Sequence, residues 1–156
     1  MNTRYIVCGI IQHKNKVLLG KKSKGRQPYP DVWHTPGGGA KNNILAKKLI
    51  VKKDYDNKYF HDELQREIME ELGVTIKNIK CIVPQYRNTP REAVTKNKLN
   101  EDTHYYFLEY LCEVDDESFS PGDDLAEAKW VSKEELNKIS LTPPSKEMYK
   151  ELGWLK

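Results

Sequence analysis

The chain has 156 residues and a mass of 18.2 kDa, with 38% hydrophobic and 31% charged residues, a size and balance suited to one domain with a buried core. Its 26 Lys+Arg against 23 Asp+Glu leave a formal charge of only +3, and its mean hydropathy is -0.77. These values argue against a nucleic-acid coat or a membrane protein. The longest apolar run, Tyr5 to Ile11, falls short of the ~20 residues of a bilayer span, and no leader pattern precedes it, so a cytoplasmic location is expected.

In chain order, Tyr5–Gln12 and Lys16–Gly20 read as two strands joined by a polar turn. A basic segment from Lys21 to Asp31, broken by Gly25, Pro28 and Pro30, reads as an exposed loop, followed by a short strand at Val32–Thr35 and then Pro36-Gly37-Gly38-Gly39. The lysine-rich stretch Lys41–Phe60 lacks clear periodicity and reads as an extra hairpin or a loop. From Asp62 to Leu72 the apolar Leu64, Ile68 and Leu72 recur at helical spacing, Glu63, Glu67, Glu70 and Glu71 take another face, and Gly73 suits a left-handed C-cap. Strands are expected in Val74–Pro84, Thr103–Val114 and Ala126–Val131. The capping box Ser132-Lys-Glu-Glu135 opens a short helix, and another is expected from about Lys146 to Leu152.

Cys8, Cys81 and Cys112 are odd in number and strand-borne, as expected of buried reduced thiols. The four histidines show no zinc spacing, so oxygen ligands and backbone must supply the chemistry. Glu67, Glu70 and Glu71 stand at i, i+3 and i+4 and project three carboxylates from one helical face. Such a cluster suits a hard divalent cation such as Mg²⁺. Arg66 is placed to pair with Glu70, and backbone carbonyls at Gly37 or Gly38 can complete the metal shell. The alternative is a solvated acidic face beside a tight turn.

At these residues the sequence resembles the Nudix hydrolase family, whose box reads G-x5-E-x7-R-E-U-x-E-E-x-G-U with U a bulky aliphatic. Arg66-Glu67-Ile68-x-Glu70-Glu71-x-Gly73-Val74 matches at every specified position, and Val17-Leu18-Leu19, Trp33-x-x-Pro36-Gly37-Gly38 and Glu127-x-x-Trp130-Val131 extend the likeness over most of the chain. The resemblance implies an α/β/α sandwich with a mixed β-sheet, spanning residues 1–156 as one domain with an insertion at about 41–60.

The first half of the box departs from the pattern. From Gly38 to Arg66 there are 27 intervening residues, about 14 more than the motif has, and Lys58 stands where the first glutamate belongs, leaving Asp54, Asp56 or Asp62 to substitute. Lys47, Lys48, Lys52 and Lys53 of the insertion are expected to border substrate phosphates, or else to form a solvated surface.

By resemblance, the protein hydrolyses a diphosphate linkage in a nucleoside triphosphate or nucleoside diphosphate derivative, oxidised nucleotides and ADP-ribose included. Mg²⁺, or Mn²⁺ in its place, would be held by Glu67, Glu70, Glu71 and the Gly37 and Gly38 backbone, with Arg66 orienting a carboxylate. Glu70, Asp124 or Glu127 would take the proton from water. Lys22 and Arg26, with Lys21 and Lys24, are the expected phosphate contacts. Tyr29, Trp33, Tyr86 and Tyr105–Phe107 are the aromatic candidates for base contact, and Pro90, 16 residues after Val74, gives weak support to ADP-ribose.

Tyr29-Pro30-Asp31-Val32-Trp33 also resembles isopentenyl diphosphate isomerases, but the cysteine they use after that tryptophan is absent from His34-Thr35-Pro36-Gly37. A non-catalytic nucleotide-binding module is the third reading, suggested by Lys58. No nucleic-acid or membrane partner is expected. A homodimer is compatible with the family, although no heptad pattern marks one.

Overall fold

The computed structural model describes residues 1–22, 32–122 and 125–156. An eight-stranded mixed sheet is built on two long central strands, β1 (Asn2–His13) and β7 (Asp102–Glu113), which run parallel from Asn2 opposite Thr103 to Gln12 opposite Glu113. On one flank, β1 pairs antiparallel with β2 (Lys16–Lys22) and with the glycine strand β4 (Gly37–Gly39). β2 in turn carries β3 (Trp33–His34) and β8 (Leu125–Ser132). On the other flank, β7 pairs antiparallel with β5 (Lys77–Cys81) and β6 (Arg91–Lys96). Because each central strand changes partner along its outer edge, the sheet curls rather than lying flat.

Side chains alternate across β1 and β7, and this divides the core in two. Val7, Ile11, Leu108 and Tyr110 face α1 (Asn43–Val51) and α2 (Lys58–Leu72), whose Ala46, Leu49, Phe60, Leu64, Ile68 and Leu72 are buried against them. Ile10, Val17 and Leu19 face the opposite side, where Leu136, Met148 and Tyr149 close a second core. Met148 and Tyr149 belong to α4 (Pro143–Glu151), while Leu136 lies in a 3₁₀ turn at Glu135–Lys138. The expected α/β/α layering is therefore present. Among the described residues no helix is long and apolar enough to cross a membrane.

The insertion is the main departure from the sequence reading. It is neither hairpin nor loop but contains the helix α1, capped by Asn42 Oδ1, which accepts from Leu45 N at 3.0 Å. Its Ala46 and Leu49 are buried one turn apart against the core, while the interleaved lysines hide that stripe in the sequence. Asn57 caps α2, which begins four residues before the expected start and ends at Gly73 in the left-handed region (φ 66°).

Two further elements were not foreseen. A short helix, α3 (Val83–Tyr86), takes over the end of the stretch Val74–Pro84 expected as strand, of which only Lys77–Cys81 is strand, and β6 was missed because its buried residue is Arg91 rather than a hydrophobe. Ser132 and Glu135 do form the reciprocal capping box, with bonds of 3.1 and 3.2 Å. All three cysteines are buried and free.

Candidate active site

The glycine strand lies directly against the acidic helix. In the β1–β4 ladder, Pro36 O accepts from Gly9 N and Tyr5 O from Ala40 N, so by antiparallel alternation Gly38 pairs with Val7 while Gly37 and Gly39 turn their free backbone groups outward. Gly37 N donates to Glu71 Oε1 at 2.8 Å, and Gly39 O lies 3.5 Å from Arg66 Nη2. Side chains would not fit here. A Cβ on Gly37 would stand 2.0 Å from Val7 O, and one on Gly38 2.1 Å from Glu67 Oε2. The glycine run thus lets a helix bearing carboxylates approach bare backbone.

Arg66 organises those carboxylates. Its Nε donates to Glu63 Oε2 (2.9 Å), and its Nη1 donates to Glu67 Oε1 (3.0 Å) and to Glu70 (3.2 Å). These bonds hold the guanidinium charged, with its pKa raised further. Glu63 in turn accepts from Lys41 N at 2.7 Å and from Tyr59 Oη at 3.3 Å. Desolvation pushes its carboxyl up, but the bonds from Arg66 and Lys41 outweigh this and hold it below the usual range.

Glu63 is thus the helix carboxylate that anchors Arg66 from the side away from Glu67 and Glu70, while Lys58 at the first box position does not bond it. Lys58 is exposed in the first turn of α2 and pairs with Asp62, Asp54 binds Asn57 Nδ2, and Asp56 accepts from His61 and Cys81 N. None of the expected substitutes, Asp54, Asp56 or Asp62, reaches Arg66. Glu63 was passed over because it lies outside the box spacing, although its place three residues before Arg66 was a local signal.

A cavity of about 520 Å³ opens beside this assembly. Its floor is three rows of the parallel ladder, Arg4 opposite Tyr105, Ile6 opposite Phe107 and Cys8 opposite Glu109. Gly37–Gly39 with Glu67, Glu70 and Glu71 form one wall, and α4 supplies Pro144, Ser145 and Met148. Lys98 and Leu99, at the turn of the β6–β7 hairpin, and Lys22 complete the lining. Arg4 lies over Gly39, where an added Cβ would come 1.8 Å from its Nη2. His34 also lines the cavity, and burial pushes its imidazole down to about 4, so the ring is neutral near pH 7.

The donor chemistry of this wall fits a hard divalent ion, since Glu67, Glu70 and Glu71 offer carboxylate oxygens beside glycine backbone. The described residues hold no ready-made group of three metal-ligating side chains. Arg66 bridges Glu67 and Glu70, supplying the counter-charge those carboxylates need in this conformation.

Of the residues singled out from sequence, Lys22, Gly37, Gly38, Glu67, Glu70 and Glu71 and the aromatics Tyr105 and Phe107 converge on the cavity, and Arg66 stands behind them. Trp33 does not line it. Its indole packs against the second core, under the Lys21 and Lys129 ammonium groups at 5.6 and 4.4 Å. Tyr86 is also outside, on α3 beside Arg87 and Glu151. Glu127 is exposed on β8 opposite Lys21 and is not among the lining residues. The insertion's lysines do not line it either, because α1 directs its buried face to the core and its lysines away. Arg26 and Asp124, with Lys24 and Tyr29, lie outside the described residues. Arg4, Lys98 and Glu109 were missed: each becomes a site residue only through pairing of β7 with β1 or β6.

The NUDIX domain family model matches residues 1–152. A nucleoside triphosphatase, NudI, of Enterobacter sp. (strain 638) is 26% identical over 156 residues, covering 99% of this chain and 100% of the relative. An isopentenyl-diphosphate Delta-isomerase of Kocuria rhizophila is 24% identical over 132 residues, covering 83% of this chain and 62% of the relative. Among solved structures, a MutT NUDIX hydrolase from Burkholderia pseudomallei superposes with a TM-score of 0.67 at 17% identity, covering 97% of this chain and 99% of the other.

Proposed function

The chain belongs to the NUDIX domain family, and from that premise we propose that it is a Mg²⁺-dependent pyrophosphohydrolase of nucleoside triphosphates or nucleoside diphosphate derivatives, with Mn²⁺ able to replace Mg²⁺. The observation that carries the reading is the joining of Glu67, Glu70 and Glu71 to the glycine strand through the Gly37 N–Glu71 bond, on the wall of a cavity that also holds Arg4, Lys22 and Lys98. The NudI relative, named a nucleoside triphosphatase and aligned over nearly the whole chain, supports the triphosphate class. A cytoplasmic location follows the same reading, with residues 1–156 acting as one domain.

Glu67, Glu70 and Glu71 would hold the metal, and Gly37 carries the outward-facing carbonyl beside them, while Gly38 is paired into the ladder. A divalent ion held there would supply charge neutralisation on the phosphates and acidify water toward neutral pH. Arg66 fixes the directions of Glu67 and Glu70, while Arg4, Lys22 and Lys98 pair with phosphate oxygens. Water oxygen attacks phosphorus, the P–O–P bridge breaks, and the leaving phosphate departs with the bridging oxygen. Glu70 is the most exposed of the three glutamates in its side chain, and it accepts the proton from the water.

Isomerase chemistry has no support from Cys8, the one thiol on the cavity floor, which is buried, donates to Leu108 O and has its pKa pushed well up. The test is incubation with Mg²⁺ and a panel of nucleoside triphosphates, ADP-ribose, dinucleoside polyphosphates and isopentenyl diphosphate. Release of pyrophosphate or phosphate is expected, with Glu71→Gln at least 100-fold slower and still folded. A dimethylallyl product, silence across the panel, or a fully active Glu71→Gln would overturn the proposal.

A further inference from the structure

Glu109 is a carboxylate with 2% exposure, placed in the floor of the cavity rather than at its rim. It follows Tyr105 and Phe107 along one face of β7 and sits opposite Cys8 in the ladder. Cys8 is also opposite Gly37, so Glu71, Gly37, Cys8 and Glu109 form one row across the site. Two strand spacings separate Gly37 from Glu109, roughly 10 Å. A sugar fits between a phosphate at the Glu71 end and a second group at the Glu109 end.

The chemistry of that second group follows from what already holds Glu109. Arg91 Nε donates to its Oε2 at 2.9 Å and Arg91 Nη2 to its Oε1 at 3.3 Å, which leaves acceptor capacity on a carboxylate with about four lone-pair sites. Arg91 Nη1 is taken by Glu147 (3.1 Å) and Glu151 (2.9 Å), and Arg87 also bonds Glu151 at 2.6 Å. This cluster has three carboxylates to two guanidiniums. It repels phosphate and favours a further hydrogen-bond donor. Burial pushes the Glu109 carboxyl up against the opposing pull of Arg91. Around it Phe107, Pro144 and Met148 present apolar surface suited to a flat ring.

We propose that Glu109, held by Arg91, is the specificity-determining residue of the site and reads the nucleobase by accepting a hydrogen bond from a base N–H, with Phe107 and Met148 flanking the ring. The proposal rests on the cavity being a nucleotide-hydrolase site. A carboxylate that loses its ligand donor is left buried and undersatisfied, so discrimination against a base without that donor is strong.

The isosteric Glu109→Gln is compared with wild type on the best nucleotide substrate and on a base-free ribose 5-triphosphate. At least a tenfold loss of kcat/KM is expected on the nucleotide, chiefly through KM, with less than a twofold change on the base-free compound. An equal loss on both overturns the proposal and leaves Glu109 a purely structural partner of Arg91. A second measurement needs no variant: the wild-type enzyme is given the same nucleotide with its base N–H groups replaced by N-methyl, and a drop of at least tenfold in kcat/KM is expected. Hydrolysis indifferent to that methylation overturns this proposal alone. A wild-type protein inert toward every phosphate compound overturns the hydrolase reading with it.

Discussion

Glu63 and Arg66, one turn apart on α2, are joined by a 2.9 Å bond from Nε to Oε2, and through Glu63 the arginine that bonds Glu67 and Glu70 is tied to the backbone of Lys41 beyond the glycine strand. The helix and the glycine strand are thereby locked by a carboxylate four residues before Glu67, which itself faces Gly38.

Glu63→Gln is expected to lower kcat by roughly tenfold and to raise the Mg²⁺ concentration needed for half-maximal rate, because Arg66 loses its charged anchor. Stability should fall by about 1.5–3 kcal/mol, the scale of a hydrogen bond to a charged partner. The Glu63 carboxyl lies below its usual value, so its contribution is present above an unfolded pKa of about 4.3 and is lost as pH falls through the lower folded value. Urea melts of both proteins between neutral and acid pH check this: wild type should lose its advantage over the variant on acidification.

Gly37→Ala and Gly38→Ala should differ in kind. The Gly38 Cβ meets the end of the Glu67 side chain, which can swing aside, so the protein folds but binds metal at least tenfold more weakly. The Gly37 Cβ meets backbone at Val7 O and Cys8 Cα, so the ladder itself must move and the loss is in stability. Thermal melts alongside Mg²⁺ titrations separate the two.

Arg91→Met is expected to destabilise the fold by about 3–5 kcal/mol, since it leaves Glu109 buried without its guanidinium. Chemical denaturation measures the loss. Restoring much of it with Glu109→Gln in the same chain would confirm that the stranded charge is the cause.

Arg4→Ala should raise KM for a triphosphate by about tenfold with little change in kcat or melting temperature, because Arg4 lines the cavity from an exposed position at the start of β1. Its effect should shrink as salt is added. Steady-state kinetics at two ionic strengths provide the check.

The thiols should resist alkylation in the native protein. Burial pushes Cys81 and Cys112 up to about 12, and Cys8 well above its ordinary value, so little thiolate is present at pH 8. Unfolded thiols titrate near 8.5, so the unfolded chain loses protons first and stability declines as pH rises from about 8.5 toward the folded values. Iodoacetamide labelling followed by mass should be slow natively and complete in denaturant.

The helix of Glu67, Glu70 and Glu71, its Gly73 cap and the glycine run were legible in the sequence because each is local: helical spacing places three carboxylates on one face regardless of what lies beyond it. The same locality exposed the capping box at Ser132 and the buried character of the cysteines. α1 was hidden because its short buried stripe is interrupted by lysines, and β6 because its inward residue is an arginine neutralised by partners from β7 and α4. Arg4, Lys98 and Glu109 carry no local signature at all. Parallel pairing of the first strand with one about a hundred residues later puts Arg4 and Glu109 on one floor, and the β6–β7 hairpin brings Lys98 to its edge. By itself the sequence determined the family, the layering and the three carboxylates that line one wall of the cavity. Only the tertiary structure decided what ties Glu63 to the backbone of Lys41 and what faces the end of the cavity away from the acidic helix, because both depend on contacts between segments that sequence spacing does not relate.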